Sequence, residues 1–369
     1  MKKPFKKGLN YTLSLVVGFG LLGGVLYYVG WRSIFGKINA LGVAGIAGVA
    51  GDVLLTIVAW ILCWGVILRS YGITLSLNNV TAARLSGYAI SYLTPTLYFG
   101  GEPIRALMVV DRTPAPATRI FATIVVERFL GGLSLIVFVL IGSFYALISP
   151  GVGMTEKEIV LIGVPFILFW IVIGLINFAG NFKWISSAIR LLRYPLPRWE
   201  KAFEHAAGKV SETEDEIYEA FTRHWRGTLL AFLIQSLATF FVYMRPQVFF
   251  HFSAHTTFSF PQLSLLFTLN IMLSFFLWIT PGGLGTSEAA LIGIYKLVGV
   301  GKEGAVAFSL MFKFVELLFV VVGLTYLFNR GLRRISRRSE DRLPACPAEE
   351  GSDPPFAKSN ATDTLQKER

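Results

Sequence analysis

Charge is what this chain has least of. Only 15% of its 369 residues are Asp, Glu, Lys or Arg, against 54% hydrophobic, where a soluble domain carries about 25% charged residues. That deficit excludes an ordinary soluble protein and marks an integral membrane protein. Cysteine is nearly missing: Cys63 lies in an apolar run and Cys346 in a polar tail, so no disulfide framework exists. No Cys-x-x-Cys and no nucleophile–base pair occurs, and GGLGTS (282–287) lacks the Gly-Lys-Ser/Thr ending of a P-loop. His251 and His255 have helical spacing but no acidic third ligand nearby. No cofactor and no metal is expected. The net charge of +11 does not point to nucleic acid. The basic residues cluster beside apolar spans, where they read as topology signals and contacts to anionic lipid.

Long apolar runs, by contrast, fill the chain. Six spanning helices are expected at residues 9–30, 41–68, 118–148, 159–180, 228–250 and 304–328. The first follows a basic segment, MKKPFKK, and resembles a signal peptide, but its 22 residues suffice to span and no A-x-A-type cleavage site follows. Lys and Arg concentrate in three places: residues 1–8, the connection 181–227, and the segment after the last span. All three fall on one side if the N-terminus is cytoplasmic, which places both termini and the connection in the cytoplasm. The membrane domain covers 9–330, and 331–369 is a basic, then disordered, cytoplasmic tail. The connection is amphipathic, and Ser211 with Glu214 has the spacing of a capping box.

Two further apolar regions, 78–110 and 261–300, are broken by Pro and Gly near their middles. A continuous helix across either is not expected, because in hydrocarbon no water repairs freed backbone groups. Each reads as a re-entrant hairpin. Comparison of SYLTP (91–95) with LWITP (277–281) reveals a repeat. The first is followed by Gly100, Gly101 and Glu102; the second is Pro281 followed by Gly282, Gly283, Gly285 and Glu288. Twenty-five residues beyond Glu102 stands Glu127, then Arg128; twenty-five beyond Glu288 stands Lys313, then Glu316. Repeat one covers about 41–148 and repeat two about 228–328. The first hairpin opens to the cytoplasm and the second to the outside, so the repeats are inverted, a hallmark of transporters. The glycines either permit tight helix packing or let a ligand approach helix ends.

Asp52, Glu102, Arg105, Glu127, Arg128, Arg245, Glu288, Lys313 and Glu316 fall within or beside apolar runs. Each is expensive at the bilayer centre, roughly 3 kcal/mol on insertion scales, and must pair. Arg105, Arg128 and Lys313 are expected in one central cavity with Glu102, Glu127, Glu288 and Glu316. Either they fix helix register, or they line a polar site for a charged head group. Arg245 precedes Pro246 and reads as a snorkelling side chain at a helix end.

PTLYFGGEPIR (95–105), VVERF (125–129) and PGGLGTSE (281–288) resemble the lysylphosphatidylglycerol synthase transmembrane-region family, in its branch of uncharacterised bacterial membrane proteins. That family includes the flippase module of the multiple-peptide-resistance factor and proteins tied to hopanoid or dolichol-linked pathways. The resemblance implies a lipid translocase of the bacterial inner membrane, moving an anionic or glycosylated lipid or polyprenyl-phosphate-linked head group. The substrate-binding candidates, taken from the two breaks and the charged residues that follow them, are Gly100, Gly101, Glu102, Arg105, Glu127, Arg128, Pro281, Gly282, Gly283, Gly285, Glu288, Lys313 and Glu316. The alternatives are a membrane partner of a lipid-synthesis or glycosyltransferase system, and an enzyme acting on lipid head groups. The family's full synthases carry a soluble aminoacyl-transfer domain after the membrane part; about 40 residues follow here, so aminoacyl transfer is not expected.

Overall fold

A computed structural model describes residues 19–94, 100–148, 150, 154–191, 200–277 and 280–340. The described residues are helical, with no strand among them. Among the described residues five helices are long and apolar enough to cross a bilayer: Gly42–Ser70, Ala117–Tyr145, Val160–Asn177, Trp225–Ala254 and Lys302–Asn329. The protein is therefore an all-α, multi-pass membrane protein. The first expected span is described only from residue 19, as the short apolar helix α1 (Phe19–Val29). The expected hairpin tip at Pro95 lies outside the described residues.

After α1 come α2 (Trp31–Asn39), α3 (Gly42–Ser70), α4 (Leu77–Leu93), α5 (Glu102–Val110), α6 (Ala117–Ile148) and α7 (Met154–Gly180). The second half holds α8 (Trp184–Leu191), α9 (Glu200–Thr222), α10 (Trp225–Ala254), α11 (Phe260–Leu277), a 3-10 turn (Pro281–Gly283), α12 (Thr286–Lys296) and α13 (Lys302–Glu340). The chain divides into two compact units, Met1–Leu327 and Phe328–Arg369. Both hairpins and the charged residues at membrane depth belong to the first.

Both Pro/Gly regions are helix–break–helix, α4–α5 and α11–α12. At 1.5 Å per residue, the nine residues of α5 and eleven of α12 reach about 14 and 17 Å, half a hydrocarbon core of about 30 Å. Neither second limb can cross alone. The first limbs, of 17 and 18 residues, reach about 26 Å, so the hairpins are lopsided.

Small residues set how the helices meet. On α3, a Cβ added at Gly45 would lie 2.8 Å from Phe252 Cβ, and one at Gly48 3.2 Å from the same ring. This seam joins α3 to α10. Each hairpin's first limb packs against the long helix that closes the other half. Ser86 of α4 donates to the Gly323 carbonyl of α13 at 3.1 Å, and a Cβ at Gly323 would overlap the Leu85 carbonyl. On α6, a Cβ at Gly142 would lie 2.7 Å from the Ser264 carbonyl of α11. The two halves are thereby interlocked.

Two local expectations are corrected. Ser211 and Glu214 form no capping box, because α9 begins at Glu200 and Ser211 lies in its middle. The buried Glu214 carboxylate instead accepts the N–H groups of Ile185 and Ser186 at 3.1 and 3.3 Å. It thus serves the start of α8, where unpaired donors and the helix dipole favour an anion. The connection is tied to the membrane helices: Arg119 of α6 pairs with Glu216 at 3.0 Å, and the Tyr71 hydroxyl donates to the Glu216 carbonyl at 2.5 Å. Pro246, next, does not end a helix. It sits buried inside α10, which runs on to Ala254.

Candidate functional site

The ionisable side chains at membrane depth sort into two groups rather than one. In the first, Glu102 stands at the start of α5, where its Oε2 accepts the Gly100 N–H at 2.7 Å and its Oε1 meets Arg128 Nη2 of α6 at 2.8 Å. Glu127, one residue earlier on α6, faces elsewhere, since neighbouring helix positions diverge by about 100°. It pairs with Arg84 of α4 at 3.0 Å and with Arg105 of α5. Arg105 is fully buried and lies over the Trp64 ring at 4.2 Å; Arg84 lies over Trp60 at 5.1 Å. Such stacking suits a weakly hydrated guanidinium. The Trp64 ring is itself fixed, its Nε1 donating to Thr123 Oγ1 at 3.2 Å.

Hydrogen bonding in this group is incomplete on the cationic side. Nε and Nη1 of Arg105 and Nε of Arg84 are buried without a partner among the described residues. Leaving such donors dry is costly. The charges are also unequal: Arg84, Arg105 and Arg128 against Glu102 and Glu127, three minus two, leave one positive charge over.

The second group is built around the other break. Gly282, Gly283 and Gly285 all have positive φ, of 62°, 63° and 80°, which glycine adopts freely. They turn the chain so that Glu288 of α12 is enclosed. Its Oε2 accepts the Gly285 N–H at 2.7 Å, and its Oε1 accepts Ser309 Oγ at 2.9 Å and Lys313 Nζ at 2.6 Å. Lys313 donates as well to Ser287 Oγ at 2.6 Å and to the Gly283 carbonyl at 3.0 Å. Both breaks thus share one device: a glutamate holds a glycine N–H at the break and meets a base on the next long helix. Glu316, one turn beyond Lys313, pairs with Arg245 of α10 at 2.9 Å, and Arg245 also reaches Asp52 of α3 at 3.3 Å. Asp52, Glu288 and Glu316 against Arg245 and Lys313, three minus two, leave one negative charge over. The two groups together are neutral, five against five.

Arg245 is no snorkelling residue. It is held between two acids and lies over the Phe312 ring at 5.1 Å. Sequence reasoning passed over Arg84, although an arginine within an apolar limb is the signal that singled out the others. A separate cavity of about 390 Å³, lined by Ser70, Arg223, His224, Trp225, Arg226 and Gly227, lies at the α9–α10 junction among none of these groups.

Residues 11–323 match the sequence pattern of the lysylphosphatidylglycerol synthase TM region. A UPF0104 membrane protein of Pyrococcus horikoshii is 22% identical over 342 residues, covering 87% of this chain and 97% of that protein. A UPF0104 membrane protein of Methanocaldococcus jannaschii is 21% identical, covering 84% of this chain and 92% of its own. Another, of Methanothermobacter thermautotrophicus, is 25% identical over 69% of this chain and 75% of that protein. These relatives are archaeal; they speak for the family and not for a bacterial branch. No solved structure matches the chain.

Proposed function

Because the chain belongs to the lysylphosphatidylglycerol synthase transmembrane-region family, we propose that it is a lipid translocase that moves an anionic or glycosylated head group between leaflets. The observation that carries the reading is the first charge group. Its Arg84, Arg105 and Glu127 are buried, its named residues carry one positive charge over, and two nitrogens of the Arg105 guanidinium, Nε and Nη1, have no partner among the described residues. A phosphate oxyanion is the complement of such a group, since guanidinium forks bind it through charge-assisted hydrogen bonds. The acids Glu102 and Glu127 hold the bases in place before the ligand arrives. Breaks at corresponding points of the two halves fit the way transporters build a site from discontinuous helices.

The test is leaflet-resolved transport of a fluorescent phosphatidylglycerol in vesicles containing the purified protein. Wild-type protein is expected to equilibrate the probe between leaflets, and Arg128→Gln to slow this at least tenfold. Arg128 is the most exposed of the three bases, and melting of the variant beside the wild type separates lost transport from lost folding. Equal rates with and without protein, across phosphatidylglycerol and glycolipid probes, would remove the translocase reading.

The inverted arrangement has its own test. Cysteines placed at Asn78 and Val110, at the outer ends of α4 and α5, are expected to react with an impermeant reagent from the same face of the membrane. Labelling from opposite faces would make α4–α5 an ordinary crossing and end the inverted-repeat argument.

A further inference from the structure

The second charge group contains an imbalance that the translocase reading leaves unused. Asp52 of α3 and Glu316 of α13 both turn to one guanidinium, that of Arg245 on α10. Their side chains are 4% and 11% exposed, and that of Arg245 15%. One guanidinium charge compensates one carboxylate. Among the described residues the other cation at hand is Lys313, and it is committed to Glu288, Ser287 and the Gly283 carbonyl. Among the described residues the Tyr88 and Tyr92 phenols of α4 also stand near these charges and bring no positive charge. With both acids ionised, an uncompensated anion stands at membrane depth, where it is disfavoured.

We propose that Asp52 and Glu316 share one exchangeable proton, so that the α3–α10–α13 junction is a proton-binding site. The proton comes from solvent: an O–H bond forms on one carboxylate as an O–H bond of hydronium breaks, and the group passes from a net charge of −1 to zero. The other carboxylate keeps Arg245. Two carboxylates turned to one guanidinium cannot easily both be compensated.

The position suits coupling. The junction takes one helix from before each hairpin, α3 and α10, and the helix after the second hairpin. Glu316 and Lys313 are three residues apart on one face of α13, and Lys313 holds the break through the Gly283 carbonyl. Loading and release of the proton therefore act on a helix already tied to the hairpin. This role in coupling rests on the translocase reading; the shared proton does not.

The experiment is infrared spectroscopy of the purified full-length protein, following the C=O stretch of protonated carboxylic acids near neutral pH, in the wild type, Asp52→Asn and Glu316→Gln. The wild type is expected to show a carboxylic-acid band that disappears in alkaline buffer. Each single variant is expected to lose it, because the remaining acid then has Arg245 to itself and ionises. A wild type without the band overturns the proposal whatever becomes of the variants, and so does a band that survives both substitutions. In vesicles, a pH gradient is expected to alter the rate of phosphatidylglycerol movement at least threefold in the wild type and not in either variant. Absence of any lipid movement would count against the translocase alone and leave the infrared result standing. Lipid movement in a protein without the band would count against the proton site alone.

Discussion

Glu127→Ala is expected to prevent the protein from accumulating in folded form. Among the described residues its carboxylate is the one anion paired with Arg105 and Arg84, both buried, the first completely. Removing it leaves two guanidinium groups without a counter-charge among Trp60, Trp64 and apolar side chains. Breaking a buried pair from one side costs roughly 3–5 kcal/mol, a large part of the 5–15 kcal/mol by which folded proteins are stable. Glu127→Gln keeps the shape and one acceptor and is expected to fall between the two. The double variant Glu127→Ala/Arg105→Met is expected to recover part of the loss, because it removes one stranded charge and fills the space with an adaptable apolar chain. The check is a double-mutant cycle on melting temperature and on the yield of monodisperse protein. A Glu127→Ala protein that melts with the wild type would show that this carboxylate does not anchor the first group.

Much of this arrangement is legible in the sequence alone. A run of twenty or more apolar residues has few alternatives to a spanning helix, and α3, α6, α7, α10 and α13 follow from that alone. The breaks are legible because Pro and Gly inside an apolar run need a reason. Glu102 and Glu288 are legible because each follows the glycines at similar spacing. The pairing is not. Glu127 and Arg128 are neighbours, yet one turns to Arg84 and Arg105 and the other to Glu102, because direction on a helix changes by about 100° per residue and the partner depends on which helix crosses there. The Asp52–Arg245 contact joins residues 193 positions apart and has no local signature. Arg245 misleads for a definite reason: proline usually closes a helix in water, whereas between membrane helices the freed carbonyl is met by neighbours and the helix continues. The capping-box expectation fails in a similar way. The spacing of Ser211 and Glu214 is real, but a longer helix absorbs it, and the acid is used by the start of α8.

Gly101→Ala is expected to be almost as damaging as the loss of Glu127, and the cause begins with space. Gly101 precedes α5 with φ −87°, a conformation open to any residue, so alanine brings no backbone strain there. Its Cβ, however, would overlap the Gly87 carbonyl of α4 and lie 2.6 Å from Ser91 Oγ, the acceptor of the Gly101 N–H at 3.0 Å. From the other side, a Cβ at Gly87 would overlap Arg105 Cγ and lie 3.0 Å from the Gly101 carbonyl. The two glycines bring the limbs of the first hairpin into backbone contact, and the Arg105 stem runs through the space a side chain at 87 would take. Separating the limbs displaces the guanidinium from Glu127, so a steric change becomes an electrostatic one. Overpacking alone costs typically about 1–3 kcal/mol, and the displaced charge adds to it. Gly65→Ala on α3 is the control, since nothing lies within 4 Å of its added Cβ and alanine is the better helix former by up to about 1 kcal/mol. Melting of the two variants against the wild type decides the matter: Gly65→Ala is expected level or higher, Gly101→Ala far lower and inactive in transport. Should Gly101→Ala melt with its control, α4 and α5 do not touch at this point, and the hairpin's placement of Arg105 needs another explanation.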